Sequence, residues 1–466
     1  MIYNRRSELP PTKLLSLGHA PRLQVQKFQL SKSDFCWKLI VVRSRINVFG
    51  IAGILAIWVS VVSARGGVTF TNLFSFSGTN GIEPEGRLLQ APDGFFYGTT
   101  RETTATSGGN WGFSAYGQGT IFRITTNGEF TTLTSFIKTN DTGGYPRAGL
   151  ILGIDGNFYG TTAGGGATGQ GTVFKFTTNG NLTTLASFGG TNGVAPVSAL
   201  VQNSVGILYG TTSFGGTRKK GVPSSAVSGR GFFDYGTAFS INTNGALKTL
   251  VFFNGTNGAN PYVGLIQGKD GNFYGSTDCA GLDDFVKTNF AGQGFGTVFK
   301  LSTNGRLTSL VVFNGTNGQN PSSIVQNGDG NLYGITSNGG GTNVVNPAGY
   351  DWPPFSGFGT VFKITPNGKL TTLVLFNGAN GRHPNSFILG HDGNFYGTTA
   401  GGGAQNLGTI FKVTPNGKLT ILYSFTEGSG SWPSLTSLMQ GKDGNLYGTT
   451  SRCGKYQCGS VFRLSM

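Results

Sequence analysis

One phrase constrains this chain more than any other feature: Asp-Gly-Asn-Phe-Tyr-Gly-Thr-Thr, complete at Asp155 to Thr162 and again at Asp392 to Thr399. Variants stand at Asp93 to Thr100, Val205 to Thr212, Asp270 to Thr277, Asp329 to Thr336 and Asp443 to Thr450. The tyrosines recur every 50 to 65 residues, from Tyr97 to Tyr447. Seven copies at that period demand a fold made of stacked units, each too small to bury its own apolar face.

Each copy carries three further elements. Gly-Thr-Val-Phe or a close variant follows, as at Gly171 to Phe174, and six of the seven run on to an Asn-Gly pair, a strong hairpin signal. A Thr- and Leu-rich run comes next, as in Leu370 to Phe376. An Asn-Gly-rich linker such as Asn314 to Pro321 then leads to a short apolar run before the next Asp-Gly turn. One unit is therefore four short strands: A (apolar run), B (Phe-Tyr-Gly-Thr-Thr), C (Gly-Thr-Val-Phe) and D (Leu-Thr-Thr-Leu). Four strands in about 50 residues is the size of a propeller blade, much longer than a β-helix coil. The predicted class is all-β, a seven-bladed β-propeller.

The ends predict closure. The seventh unit stops at Met466, straight after its C strand, whereas residues 69–76 read as an orphan D strand. That strand should complete the last blade and leave no exposed sheet edge.

Residues 1–65 stand apart from the repeats, which occupy 66–466. Nine Lys or Arg precede Ile46, an apolar stretch runs from Val48 to Val62, and Ser63-Ala64 follows. This describes an export signal cleaved after Ala64. A start at Val41 or Val42 would leave an n-region of ordinary length. The alternative is an uncleaved single-span anchor, the chain's one predicted contact with a membrane. Cleavage would leave 25 Lys and Arg against 17 Asp and Glu, a net charge of +8 in place of +15. No arginine-rich stripe accompanies that charge, so nucleic acid is not an expected partner. The chain is read as a monomer. In an oxidising compartment Cys453 and Cys458 could close the B–C loop of unit seven as a disulfide.

The repeated unit resembles the tandem repeat of the GloVer family, exported bacterial proteins grouped by that repeat. The resemblance covers about residues 66 to 466. It implies export and a repeat fold, and carries over no catalytic residue. The family is noted for varied C-terminal anchors; with the repeats running to Met466, surface anchoring from that end is not expected.

The repeated Asp residues of the A–B turns offer one carboxylate per turn, too few for a calcium loop, and read as turn residues. No cofactor and no metal are expected: no phosphate-binding fingerprint, nucleophile motif or metal-ligand spacing is present. Function should lie where units differ. The B–C loops have eight residues in units two, six and seven, but 18, 23, 18 and 22 in units one, three, four and five. In a propeller these loops share one face with the D–A linkers. The insertions bring Trp111 and Tyr116; Phe233 and Asp234; Asp283 and Asp284; and Tyr350, Asp351 and Trp352. Aromatic platforms beside carboxylates suit sugar rings, and aromatics also anchor protein interfaces; equally, they could serve only to pin long loops. The expected partner is a polysaccharide or a surface protein, bound without catalysis. Two other readings are a carbohydrate-active enzyme using loop acids such as Glu102 and Asp351, and a cell-envelope scaffold.

Overall fold

The structure, a computed structural model, describes residues 67–104, 116–137, 142–216, 235–279, 294–341, 357–426, 438–451 and 455–466. The expected export segment lies outside them. All belong to one compact unit, Ser63–Met466.

Seven four-stranded antiparallel sheets form the blades of a β-propeller. Blade two is representative, with A at Ile151–Leu152, B at Phe158–Thr162, C at Thr172–Phe176 and D at Leu182–Ser187. Strands B are buried throughout, because both faces of each sheet are covered by neighbouring blades. Strand D is the outer edge, and its side chains are mostly half-buried. The ring closes as the sequence predicts. Thr69–Ser75 pairs antiparallel with Ser460–Ser465 as the fourth strand of blade seven.

The repeated residues build the contacts between blades. The B-strand tyrosine of one blade packs on the first B-strand residue of the next. That residue is leucine in three interfaces, as with Tyr159 and Leu208, and phenylalanine in the rest: Tyr97 on Phe158 with ring centroids 4.4 Å apart, Tyr209 on Phe273 at 4.1 Å, Tyr333 on Phe395 at 4.4 Å. Tyr447 of blade seven meets Phe96 of blade one in the same way at 4.3 Å, so the last interface is equivalent to the others. Each such aromatic pair is worth about 0.5–1.5 kcal/mol beyond the area it buries. The glycine of Phe-Tyr-Gly-Thr-Thr makes room for the C-strand phenylalanine. A Cβ at Gly98 would sit 2.5 Å from the Phe122 ring, and one at Gly448 equally close to Phe462.

The Asn-Gly hairpins differ from expectation in one respect. Only the glycine takes a positive φ, +92° at Gly128 for instance. Gly128 N–H donates to Thr125 O, and Thr125 N–H donates to Glu129 O. This is a turn closed by a glycine bulge rather than a two-residue turn. The Thr125 hydroxyl helps to set it by accepting from the Glu129 N–H at 3.0 Å.

Candidate ligand-binding face

The two faces of the ring are built from different material. The A–B turns form one face. There Asp155 accepts from the Asn157 N–H (3.2 Å), the Asn157 side-chain amide (2.8 Å), the Tyr159 hydroxyl (2.8 Å) and Lys175 Nζ (3.2 Å). Asp270 and Asp392 repeat the pattern. Burial opposes the charge of Asp155, but these donors outweigh it and hold its carboxyl down to about 2. The carboxylate serves as the turn residue expected from sequence, accepting from its own turn and from strands B and C. Neighbouring turns are tied by glutamines. Ile154 N–H donates to Gln202 Oε1, His391 N–H to Gln440 Oε1, and Lys442 N–H to Gln90 Oε1 across the closing interface.

The opposite face carries the B–C loops and D–A linkers together, as the loop lengths predicted. Ile82 exchanges backbone hydrogen bonds with Glu102, Val194 with Phe214, and Ala259 with Cys279. Each linker ends in a residue followed by proline, and in six blades that residue adopts a left-handed backbone: Glu83, Tyr145, Ala195, Asn260, Asn320 and His383, all with φ between +53° and +59°. Such a conformation costs about 1–3 kcal/mol in a residue with a side chain. Here it is held from both sides. Tyr145 N–H, for example, donates to Gln118 O of the preceding blade at 2.8 Å, and Tyr145 O accepts from Ala163 N–H at 3.1 Å. The following proline packs against the glycine that opens strand C of the preceding blade. A Cβ at Gly119 would lie 2.8 Å from Pro146, and one at Gly459 2.5 Å from Pro84. Gly119 and Gly459 also have φ near +100°. The Gly-Thr-Val-Phe glycine is thus half of a clasp between blades.

Because all six positions share this strain, the strain belongs to the architecture. What differs is the side chain presented, and none of these positions stands out in the repeat pattern of the sequence. The useful signal was the one variable residue before an otherwise repeated proline. His383 Nδ1 lies 3.1 Å from Ser337 O, and burial lowers its pKa. Asn320 donates to Asp278 Oδ1 at 2.9 Å, and burial raises the Asp278 carboxyl. Burial, followed by the Asp278 charge, pushes the neighbouring Cys279 thiol up to about 12, which makes it unreactive. Tyr262, two residues after Asn260, is 42% exposed and meets Phe214 edge-on at 6.3 Å. Burial of its hydroxyl and the Asp278 charge raise its pKa, while Arg147 lowers it. Residues of blades two, three and four therefore lie within electrostatic or van der Waals reach of one another.

Blades one and two contribute a charged cluster. Arg101 Nη1 lies 2.6 Å from Glu83 and 3.7 Å from Glu85, and its Nη2 3.3 Å from Glu102. Arg147 Nε lies 3.6 Å from the other Glu85 oxygen. Glu85 is almost fully buried. Burial pushes its carboxyl up to about 7, against the pull of Arg147 and Arg101. Among the described residues no group of three or more His, Cys, Asp or Glu could hold a metal ion.

Comparison with known proteins bears on the family. The Gloeobacter/Verrucomicrobia repeat matches residues 60–223, 224–350 and 293–466. The chain belongs to that family. No curated protein matches it. Among solved structures, a streptogramin B lyase aligns over 85% of this chain and 97% of its own at 13% identity, with a TM-score of 0.54. A gluconolactonase from Xanthomonas campestris aligns over 86% and 90% at 9% identity (TM-score 0.41). A PQQ-bound aldose sugar dehydrogenase from Streptomyces coelicolor aligns over 68% and 92% at 12% identity (TM-score 0.40). At these identities the likeness is one of fold.

Of the insertion residues expected to bind ligand, Trp111, Phe233, Asp234, Asp283, Asp284, Tyr350, Asp351 and Trp352 lie outside the described residues. Tyr116 belongs to a two-residue strand, Tyr116–Gly117, paired with Thr103–Thr104 at the root of the first insertion. The roots of the later insertions are aromatic: Tyr235, Phe295 and Phe358. A Cβ at linker Gly255 would meet the Tyr235 ring at 3.2 Å, so this aromatic packs against the linker that follows its blade. Cys453 lies outside the described residues, and Cys458 Sγ lies 3.3 Å from Tyr456 O.

Proposed function

We propose that this repeat propeller is an exported, non-catalytic binding module that takes a carbohydrate chain on the linker face. The observation that carries the reading is the division of labour between the faces. Side chains repeat and saturate one another on the A–B face, whereas on the linker face one scaffold presents a different residue in each blade. Tyr262 offers an exposed apolar ring. Asn260, Asp278 and Arg147, close to it in the fold, offer hydrogen-bonding groups. That combination matches a sugar's apolar face and hydroxyl rim. Export is supported by the basic and apolar pattern of residues 1–65.

The test is retention of the full chain on immobilised neutral and acidic polysaccharides, with released reducing ends assayed in the same samples. Retention without product, weakened about tenfold or more by Tyr262→Ala, is expected, as for a central aromatic anchor. Released ends would make the protein an enzyme. Absence of retention would turn attention to a protein partner.

A further inference from the structure

At the channel end of the linker face, Arg87 has no ion pair among the described residues. Arg87 lies two residues before strand A of blade one, Leu89–Gln90. The equivalent positions, counted back from each A strand, are Gly149, Ala199 and Gly264 in blades two to four. Aligned on the A-strand ends, blades five and six have Ser323 and Ser386. Among the described blades, then, one arginine stands in a ring of small residues.

The inner backbones converge at this level. A Cβ at Gly149 would lie 2.3 Å from Arg87 O, and one at Gly86 would lie 2.7 Å from Ala148 O. Leu88 is buried between blades with Phe76 and Phe96, which places Arg87 on the other side of the chain. The Arg87 side chain reaches solvent, yet protein crowds it closely enough for desolvation to lower its pKa. Accessible to water while surrounded by protein is the condition of a side chain in a channel or its mouth.

Its neighbours do not neutralise it. Glu83, Glu85 and Glu102 are engaged by Arg101 and Arg147. Among the described residues Arg87 has neither an ion pair nor a side-chain hydrogen bond. An exposed guanidinium without a counter-charge leaves its planar fork of donors free, and that fork fits a carboxylate in a bidentate way.

We propose that Arg87 is the recognition point for a carboxylate-bearing sugar, a uronic acid, entering the channel mouth from the linker face. The proposal rests on the carbohydrate-binding reading above and names its ligand class. The sugar's carboxylate accepts two hydrogen bonds from the guanidinium. Arg147, unlike Arg87, is already paired with a carboxylate, through its Nε to Glu85 at 3.6 Å.

D-Galacturonate and D-galactose differ only at C6 and serve as probes, measured by calorimetric titration of the full chain and of Arg87→Gln, Arg87→Lys and Tyr262→Ala. Thermal unfolding of each variant checks folding. Arg87 has no partner to lose, so Arg87→Gln should unfold as the parent does. The expected result is preference for the uronate by tenfold or more, abolished by Arg87→Gln, partly kept by Arg87→Lys and weakened as salt rises. A uronate preference untouched by Arg87→Gln overturns the assignment of Arg87. Equal binding of both sugars, lost in Tyr262→Ala, overturns the anion site and leaves the carbohydrate reading standing. If neither sugar nor their oligosaccharides bind, both readings fall.

Discussion

The A–B turn face and the linker face are made by one backbone repeated seven times, yet they handle charge in opposite ways. On the first, a carboxylate is ionised, exposed at its edge and surrounded by donors that recur from blade to blade. On the second, Glu85 is buried and its carboxyl is lifted to about 7, and the residues around it occur in no other blade. A repeat leaves selection free to vary what it does not need for stacking. The residues of the turn face are needed for stacking. Those before and after the linker prolines share only a backbone conformation, and their side chains make contacts that differ from blade to blade, as with Glu83 and Arg101 or Asn320 and Asp278.

The largest expected effect sits where the two faces are joined. Phe76 follows the strand that closes the ring and is fully buried against Phe122 and Phe130. Phe76→Ala should cost about 3–5 kcal/mol, read as a lower midpoint in denaturant unfolding. A variant as stable as the parent would mean that the closing strand contributes little.

The faces should also respond to pH with opposite sign. Glu85 has a folded pKa above its unfolded value. Its contribution is complete below about pH 4.5 and is lost as pH rises through about 7. At about 1.4 kcal/mol per unit, the upper bound is about 3 kcal/mol. Glu85→Gln should therefore flatten the fall in stability between pH 5 and 7. The turn aspartates have depressed pKa values, so their contribution is present above about pH 4 and lost as pH falls toward 2. Unfolding followed from pH 2 to 8 tests both slopes. A Glu85→Gln profile parallel to the parent's would remove the contrast.

Glycine separates the faces more finely. Gly359 has φ +97°, and a Cβ there would lie 2.3 Å from Thr336 O and 2.6 Å from Pro384. Gly393, in an A–B turn, has φ +75° with nothing within 4 Å. Gly393→Ala pays only for the left-handed backbone, about 1–2 kcal/mol. Gly359→Ala adds a clash with fixed backbone, about 1–3 kcal/mol more. Equal costs would show that the clasp between blades yields easily.

Most of the fold could be read in the sequence because blade contacts are made by the repeated residues themselves. Tyr97 and Gly98 recur because each interface needs the same tyrosine ring and the same gap, with phenylalanine or leucine facing the ring. The closing strand was visible for the same reason, since residues 69–76 are a D strand out of place. The candidate site was less legible. A residue such as Arg87 or Glu85 shows in sequence only as variation within a short linker. Attention to long insertions favours Trp111 or Trp352 over such positions. Glu85 becomes notable only when folding brings Arg101, 16 residues on, and Arg147, 62 residues on, to the same carboxylate.

The smallest effect tests whether the turn face is as self-contained as its geometry indicates. Tyr159 donates its hydroxyl to Asp155 Oδ2 at 2.8 Å, and its ring is wholly buried. Tyr159→Phe keeps the ring and removes one hydrogen bond, at a cost of about 0.5–1.5 kcal/mol at neutral pH. The lost donor also raises the Asp155 pKa from about 2 toward its ordinary value. Folded and unfolded carboxyls then titrate closer together. The penalty should shrink as pH falls below 4, and the variant and parent curves should converge in acid. A cost that stays constant with pH would mean that the hydroxyl's contribution does not depend on the charge of Asp155. The repeated aspartate would then be a turn residue with an incidental partner, not the centre of a saturated network.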